Sequence, residues 1–301
     1  MGSAELILVS YRSKSQIDGL LTALPADFPI AVIDNAGDVD GVTELVNGRV
    51  NARYVDAGGV GFARAANLGA RTSRHEFIVF GNPDSRPTLV DIERLVGDVA
   101  ADPRCASSAA LLLGADGEVE LGTGGLEPTL RRTLVHALAL HKLFPVAGLY
   151  FHPPVGSAIH VDWTSAACMA LRRQTFLDLG GFDESFFVYS EDVAFGRTVR
   201  FSGLYQRLRT DVVVQHASGG SGAPSLEMMR LRGASMASYL RKVNSHPAAT
   251  VMTAVLVLGY VARIVEQLLS RNRLRAREHW AYVAGLVTRR AQVAGVQVLD
   301  G

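Results

Sequence analysis

The sequence predicts a doubly wound, mostly parallel α/β sheet followed by a C-terminal helical extension. In the first 113 residues, short apolar runs alternate with stretches of helical periodicity. Continuous apolar runs are typical of parallel strands covered on both faces, because neither face of such a strand meets water. After residue 222 the alternation ends, and the remaining long segments have a helical pattern. We therefore expect a domain at 1–222 and a helical extension at 223–301.

Each predicted element follows from its local pattern. Short, mostly apolar runs predict strands at 6–9, 30–33, 52–55, 77–80 and 109–113, and helical periodicity predicts helices at 15–24, 62–72 and 89–101. Residues 114–154 are less regular, with one predicted helix at 130–143. Further along we expect a regular segment at 161–163, helices at 172–179 and 193–201, and a strand at 211–216. The glycine-rich stretch 219–222 marks the expected boundary.

Cysteine usage and the N-terminus indicate a cytoplasmic protein. The two cysteines, Cys105 and Cys168, lie in no Cys-x-x-Cys or Cys/His cluster, which argues against a zinc site and a disulfide framework. The first residues lack a basic region before an apolar one, so we expect no signal peptide.

The C-terminal part is strongly basic. Between Arg230 and Arg290 there are eleven basic residues and two acidic ones, although the whole chain has a net charge of +1. The uncharged stretch 248–262 is shorter than the roughly 20 residues of a spanning helix, and the basic cluster 271–277 follows it. We expect this region to lie on an anionic membrane surface, peripherally at the inner face of the plasma membrane. The alternative is a helical hairpin packed on the body or on a second copy in a homodimer.

Several polar residues follow predicted strands. In doubly wound sheets ligands bind at the carboxyl ends of the strands, where Asp34, Asp84 and His216 are expected. Asp84 and His216 could share a divalent cation, although each residue alone has an ordinary structural explanation. The glycines at 58–61 could let the backbone approach a phosphate. They do not match a dinucleotide fingerprint, because they follow the third strand and Arg64 replaces the third glycine.

Four carboxylates lie in the aromatic run 182–192, namely Asp183, Glu184, Glu191 and Asp192. A carboxylate in a partly dry cleft can act as a general base, because desolvation raises its proton affinity. The alternative is that these residues cap a helix or remain solvated.

Eight motifs occur in an order found in one enzyme family. They are Ser10-Tyr11, Asp34-Asn35, 61–69, Asn82-Pro83-Asp84, 163–166, 181–187, Tyr189-Ser190-Glu191-Asp192 and His216. Together they resemble inverting family 2 glycosyltransferases of the GT-A fold, over about residues 4–220. The Asn-Pro-Asp form and the aromatic run look most like the bacterial rhamnosyltransferase-like branch.

The resemblance implies a role for each matching residue. Asp192 would be the catalytic base, and Asp84 and His216 would bind Mn²⁺ or Mg²⁺. The donor nucleotide and diphosphate would meet Ser10, Tyr11, Asp34, Arg64, Asn67, Asn82 and Asp84. The sugar and acceptor cleft would be shaped by Trp163, Phe187, Tyr189 and Glu191. One base suffices for inversion, because the cation stabilises the leaving diphosphate.

The resemblance also implies partners. The donor would be a nucleoside-diphosphate sugar, with rhamnose from dTDP-rhamnose preferred and UDP-linked hexoses or galactofuranose next. The acceptor would be a lipid-linked or polymeric glycan in cell-envelope or polysaccharide synthesis, and no nucleic acid is implied.

Four positions depart from the family pattern: Asn82 at the first DxD position, Ala166, Ala194 and Thr198. They leave open a catalytically silent nucleotide-sugar-binding protein. A sugar nucleotidyltransferase is the other alternative. It would favour a basic glycine-rich loop after the first strand, which 10–15 does not provide.

Overall fold

The computed structural model describes residues 3–120, 122–140, 143–144, 147–150, 153, 156–216, 225–293 and 296–299. The chain divides into two compact units. The first comprises Met1–Gly125, His152–Glu184 and Asp192–Gly222, and the second comprises Leu126–Phe151, Ser185–Glu191 and Ala223–Gly301. The glycine-rich boundary expected at 219–222 lies outside the described residues, and the division at residue 222 remains a prediction.

An eight-stranded sheet forms the centre of the first unit. Its strands are β1 (Ala4–Ser10), β2 (Ile30–Asp34), β3 (Ala52–Asp56), β4 (Phe77–Gly81), β5 (Cys105–Leu113), β7 (Ala158–Val161), β9 (Cys168–Arg172) and β10 (Tyr205–Gln215). They lie in the order β3-β2-β1-β4-β9-β5-β10-β7. β7 and β9 run antiparallel to their neighbours, and the other pairings are parallel. The predicted, mostly parallel sheet is confirmed. The short strands β6 (Gly124–Gly125) and β8 (Trp163–Thr164) pair separately.

Helices cover both faces of this sheet. They are α1 (Lys14–Ala23), α2 (Val42–Asn47), α3 (Phe62–Thr72), α4 (Leu89–Ala101), α6 (Arg173–Asp178) and α7 (Glu191–Phe201). Side chains of α1, α2 and α4 share one buried cluster with the strands, and those of α3, α6 and α7 share another. The sheet is therefore buried on both sides, as continuous apolar strands require.

Several element predictions need correction. β9 was not predicted, and the regular segment expected at 161–163 contains the ends of two strands, which are interrupted at Asp162. β9 lies antiparallel between β4 and β5, a position set by long-range pairing that local pattern does not reveal. The helix predicted at 130–143 is α5 (Leu130–Ala137), which ends earlier.

Within its described residues, the second unit contains three long helices besides α5. They are α8 (Ser225–Val243), α9 (His246–Leu269) and α10 (Arg273–Thr288), followed by the unpredicted hairpin β11 (Ala291–Val293) and β12 (Val296–Leu299). Glycines let the helices approach closely. A Cβ on Gly285 would lie 1.9 Å from the Arg230 carbonyl oxygen, and one on Gly233 would lie 2.1 Å from that of Tyr282.

Among the described residues, α9 is the one helix that is long and apolar enough to cross a membrane. It has 24 residues, so it extends well beyond the uncharged stretch recognised in the sequence. Core helices of soluble proteins share this length and composition, and α9 alone therefore does not identify a membrane span.

Candidate active site

Residues 82–85 form a turn directly after β4. The amide and hydroxyl of Ser85 both donate to the Asn82 carbonyl oxygen, at 3.0 and 2.7 Å. Ser85 also forms an isolated β-bridge with His216, the residue after β10. Two strand ends are thereby joined, and Asp84 is held beside His216.

The imidazole of His216 connects three polar side chains at the rim of the sheet, where the carboxyl ends of β4 and β10 lie. Its Nε2 lies 3.2 Å from Asp84 Oδ1 and 3.1 Å from Asn82 Nδ2, and its Nδ1 lies 2.8 Å from Glu120 Oε2. Burial disfavours the charged ring, but hydrogen bonds with Asp84 and Glu120 outweigh it and raise the pKa of His216 to about 9. Predicted residues from two distant strands therefore converge here.

Asp84 and His216 are residue types that could contribute to a divalent-cation site only partly coordinated by protein. Within the described part of the chain, no group of three His, Cys, Asp or Glu side chains could hold a metal ion. Asp84 and His216 supply one carboxylate and one imidazole, and Mg²⁺ typically takes one or two carboxylates and completes its shell with phosphate oxygens and water. Glu120 would then act as the outer partner that orients a ligating imidazole.

The first predicted nucleotide residues lie at the ends of β1 and β2. Ser10 pairs with Asp34 in the parallel register, and both are fully buried. The Ser10 hydroxyl has no hydrogen-bond partner. Asp34 accepts from the amides of Ala36 (3.1 Å) and Asp38 (2.7 Å), as well as from the Tyr54 hydroxyl (3.2 Å). An ionised carboxylate has about four acceptor sites, so Asp34 keeps capacity for one more donor.

Tyr11 follows on the same loop and is half-buried. The Arg12 guanidinium lies 5.5 Å from the centre of its ring. Arg12 has a φ of 52°, so the chain turns sharply before α1. Tyr11 is thereby held as a partly exposed ring next to Ser10, which suits the predicted role of lining a base pocket.

Arg64 and Asn67 pair with the motif at 181–187. Asn67 is buried, and its amide group donates to the Phe182 carbonyl oxygen at 2.8 Å and to Glu184 Oε1 at 3.0 Å. Its oxygen accepts from the Phe182 amide at 2.8 Å. Arg64 lies 3.9 Å from Glu184 and is more than half exposed. Asn67 uses its side-chain amide group to hold the loop at 181–187. Its contact with the nucleotide-sugar donor remains a prediction.

The proposed base lies in the first turn of α7. Asp192 is half-buried, and its Oδ1 accepts from the Val193 amide at 2.8 Å. α7 packs tightly on the buried Trp163, because a Cβ on Gly196 would lie 2.8 Å from the Trp163 Cβ. The packing of α7 on β8 therefore fixes the position of Asp192 within the first unit.

The remaining predicted cleft residues belong to the second unit. Phe187 and Tyr189 pack on a small cluster around Leu231, and Glu191 is buried. Tyr189 has a φ of 69°, a left-handed conformation that is uncommon for a residue other than glycine. Such conformations cluster at functional sites.

Comparisons with known proteins show relatives of one kind. No family model matches the chain. It is 27% identical over 238 residues, 72% of this chain and 77% of the relative, to the N-acetylglucosaminyl-diphospho-decaprenol L-rhamnosyltransferase of Mycobacterium tuberculosis. It is 25% identical over 197 residues, 63% of this chain and 59% of the relative, to the low-salt glycan biosynthesis hexosyltransferase Agl10 of Haloferax volcanii.

Two solved structures share the fold. The mannosyltransferase PcManGT of Pyrobaculum calidifontis, solved with GDP-Man and Mn²⁺, superposes with a TM-score of 0.59 at 14% identity, over 96% of this chain and 87% of that one. GalNAc-T7, solved with UDP, GalNAc and Mn²⁺, has a TM-score of 0.54 at 13% identity, over 82% of this chain and 53% of that one.

The chain is a glycosyltransferase with the GT-A fold, and it is similar to family 2 enzymes. The resemblance predicted from the ordered motifs and the predicted fold class are both confirmed. Glu120 is a residue of the rim that sequence reasoning missed. It lies in an irregular segment that returns to β5, where its amide donates to the Leu112 carbonyl oxygen at 3.0 Å, and no local motif marks it.

Proposed function

We propose that this glycosyltransferase transfers a sugar with inversion from a nucleoside-diphosphate donor to a lipid-linked or polymeric glycan acceptor. The observation that carries the proposal is the convergence of Asn82, Asp84 and His216 at the carboxyl-end rim of the sheet. The rim supplies acidic and imidazole ligands beside strand ends where nucleotides bind in doubly wound sheets. The glycan-synthesis role and the lipid-linked acceptor are supported by the names of the relatives.

Asp84 and His216 would hold Mn²⁺ or Mg²⁺, which supplies stabilisation of the negative charge that develops on the leaving diphosphate. The Mn²⁺ present in both solved neighbours supports this assignment. Asn82 contributes no charge at the first motif position, and Glu120 instead adds a carboxylate behind His216. The acidic character of the site is therefore restored from a different part of the chain.

Asp192 is the proposed base. Inversion by a single displacement requires one group to take the proton of the acceptor hydroxyl. The Asp192 carboxylate is half-buried at the start of α7, and its Oδ1 is oriented by the Val193 amide. The Asp192 carboxylate is the candidate proton acceptor.

Ser10, Tyr11 and Asp34 are the proposed nucleotide contacts. The fully buried Ser10 hydroxyl without a partner supports this, because a buried hydroxyl normally finds a hydrogen bond. The preferred donor is dTDP-rhamnose, supported by the rhamnosyltransferase relative. UDP-linked hexoses are the second choice, supported by the hexosyltransferase relative.

We also propose that the second unit contacts the anionic inner face of the plasma membrane. Its surface exposes the large apolar side chains Leu258, Leu268, Leu269 and Trp280. A groove of about 650 Å³ is lined by Leu268 and Trp280 together with Arg273 and Arg277. Apolar side chains beside arginines suit an interfacial helix, and homodimerisation through the same surface is the alternative.

The test combines donor binding with turnover. In thermal-shift assays with UDP, dTDP and GDP, each with Mn²⁺ or Mg²⁺, we expect dTDP to stabilise the protein most. Asp192→Asn should lower transfer by at least about 100-fold while donor binding stays unchanged. Asp178→Asn is the control, because Asp178 is exposed and accepts from Gln174 on α6.

Three outcomes would contradict parts of the proposal. Undiminished transfer in Asp192→Asn removes Asp192 from the mechanism. Nucleotide binding without turnover of any donor supports the catalytically silent alternative. Release of pyrophosphate from a nucleoside triphosphate supports the nucleotidyltransferase alternative.

A further inference from the structure

Two arginines of the second unit face aromatic rings instead of acids. The Arg232 guanidinium carbon lies 4.7 Å from the centre of the Tyr189 ring, and that of Arg263 lies 4.7 Å from the centre of the Tyr260 ring. Tyr260 in turn stacks on Tyr282 with ring centres 4.2 Å apart. Tyr260 and Tyr282 lie near both guanidinium groups.

Neither guanidinium has an acidic partner within the described ranges of the chain. Arg263 donates one Nη2 hydrogen bond to the His136 carbonyl oxygen, and its Nη1 is buried without a partner. Arg232 keeps solvent-accessible surface, although many atoms of the second unit surround it. Tyrosine hydroxyls are neutral at physiological pH, so the surrounding rings do not neutralise either cation.

Two guanidinium groups beside tyrosine rings are suited to binding an anionic ligand with several oxygens. Guanidinium groups bind phosphate oxygens through paired, charge-assisted hydrogen bonds. The tyrosine hydroxyls can add neutral donors around the same group. Two arginines match the charge of a diphosphate better than that of a single carboxylate.

We propose that Arg232 and Arg263 bind the diphosphate of a lipid-linked acceptor. The assignment of this diphosphate to the acceptor rests on the proposed function, whereas the anion site itself does not. Tyr189 precedes the proposed base Asp192 by three residues in the chain. The same unit exposes the apolar side chains of Leu258 and Leu268, which suit a lipid chain. The donor diphosphate is assigned to Asp84 and His216 in the first unit.

Isothermal titration calorimetry of the full chain tests the site directly. The probes are geranyl diphosphate, geraniol and dTDP, in EDTA so that no divalent cation contributes. Wild type should bind geranyl diphosphate and not geraniol. Arg232→Gln should weaken that binding at least about tenfold, because charge-assisted hydrogen bonds are lost. Arg263→Lys keeps the charge near His136 and should give a smaller loss.

Arg241→Gln is the matched control, because it removes one charge from the same helix at an exposed position near His246. Equal affinity for geranyl diphosphate in wild type and Arg232→Gln would overturn the proposal. Equal loss of dTDP binding in Arg232→Gln would assign the site to the donor and overturn the acceptor assignment. The binding assay does not depend on sugar transfer. If the protein binds geranyl diphosphate through Arg232 but has no transferase activity, this site is supported and the proposed function fails.

Discussion

Glu120 Oε2 lies 2.8 Å from His216 Nδ1 and so holds the imidazole with its Nε2 toward Asp84. The side chains are mostly buried, with 15% of Glu120 and 11% of His216 exposed. Water therefore competes little for this hydrogen bond. A carboxylate in this position fixes the orientation of the ring and makes its other nitrogen a better ligand.

Substituting Glu120 should consequently weaken cation binding. We expect Glu120→Gln to reduce Mn²⁺ affinity about 10- to 100-fold, as losses of outer partners of metal ligands typically do. Calorimetric titration with Mn²⁺ in the presence of dTDP measures the effect. Glu118→Gln is the matched control, since Glu118 is exposed two residues away. Unchanged affinity in Glu120→Gln would contradict the role of Glu120 as the outer partner of a ligating His216.

Asn67 should be important for stability, since it fastens α3 to the motif at 181–187. Asn67→Ala removes three hydrogen bonds and leaves the amide and carbonyl of Phe182 unsatisfied. We expect a loss of about 2–4 kcal/mol in the free energy of unfolding, measured by urea denaturation. The exposed Asn47→Ala should change it by less than about 0.5 kcal/mol. A small effect at both positions would mean that the loop is held by other contacts.

The packing of α7 on β8 leaves no room for a side chain at Gly196. A Cβ there would lie 2.2 Å from the Asp162 carbonyl oxygen, which belongs to the backbone and cannot rotate away. Gly196→Ala should therefore lower the free energy of unfolding by at least about 1–3 kcal/mol and, by moving α7, reduce transfer through Asp192. Gly48→Ala is the control, because its Cβ would meet nothing closer than 3.4 Å and its φ is −72°. A Gly196→Ala protein with wild-type stability and activity would contradict this packing.

Both cysteines should be unreactive in the folded protein. Burial raises the pKa of Cys105 to about 11 and that of Cys168 to about 12. The thiolate is the reactive form, and its fraction at pH 8 is very small when the pKa is so high. We expect Ellman's reagent to detect no thiol in the native protein and two after denaturation in guanidinium chloride. Rapid labelling of a native thiol would show that the region around it opens.

The sequence predicted the elements whose signals are local. The α4 helix begins where expected, because Thr88 and Asp91 form a reciprocal capping box that residue types alone indicate. β1, β2 and β4 were found from continuous apolar runs, and β3 was found from a mostly apolar one. β9 was missed, since its place between β4 and β5 depends on pairing with strands about 60–90 residues away.

Some residues of the candidate site were likewise predictable from local sequence signals, and others were not. Asn82, Asp84 and His216 follow strand ends, so their meeting was predictable from the rule for parallel sheets. Glu120 was not, because it lies in an irregular segment whose return to β5 is visible only in three dimensions. The structural contacts of Asn67 were also unpredictable, because its partners are 115 residues or more further along the chain.

The exposed apolar side chains of the second unit predict binding to anionic bilayers. Leu269 is 80% exposed and Trp280 is 62% exposed, and Trp280 lines the same groove as Arg273 and Arg277. Trp280→Ala should reduce co-sedimentation of the full chain with phosphatidylglycerol vesicles, and added salt should reduce it further, because arginines bind anionic lipid through screened charges.

Phe201→Ala is the matched control for this prediction, since Phe201 is a 75% exposed aromatic residue of the first unit. Recovery of both wild type and Trp280→Ala in the supernatant would contradict membrane binding. If Trp280→Ala also changed the molecular mass in solution, measured by light scattering, the surface would belong to a homodimer. A dimer buries apolar side chains against one another, so its association would resist salt more than binding to anionic lipid does.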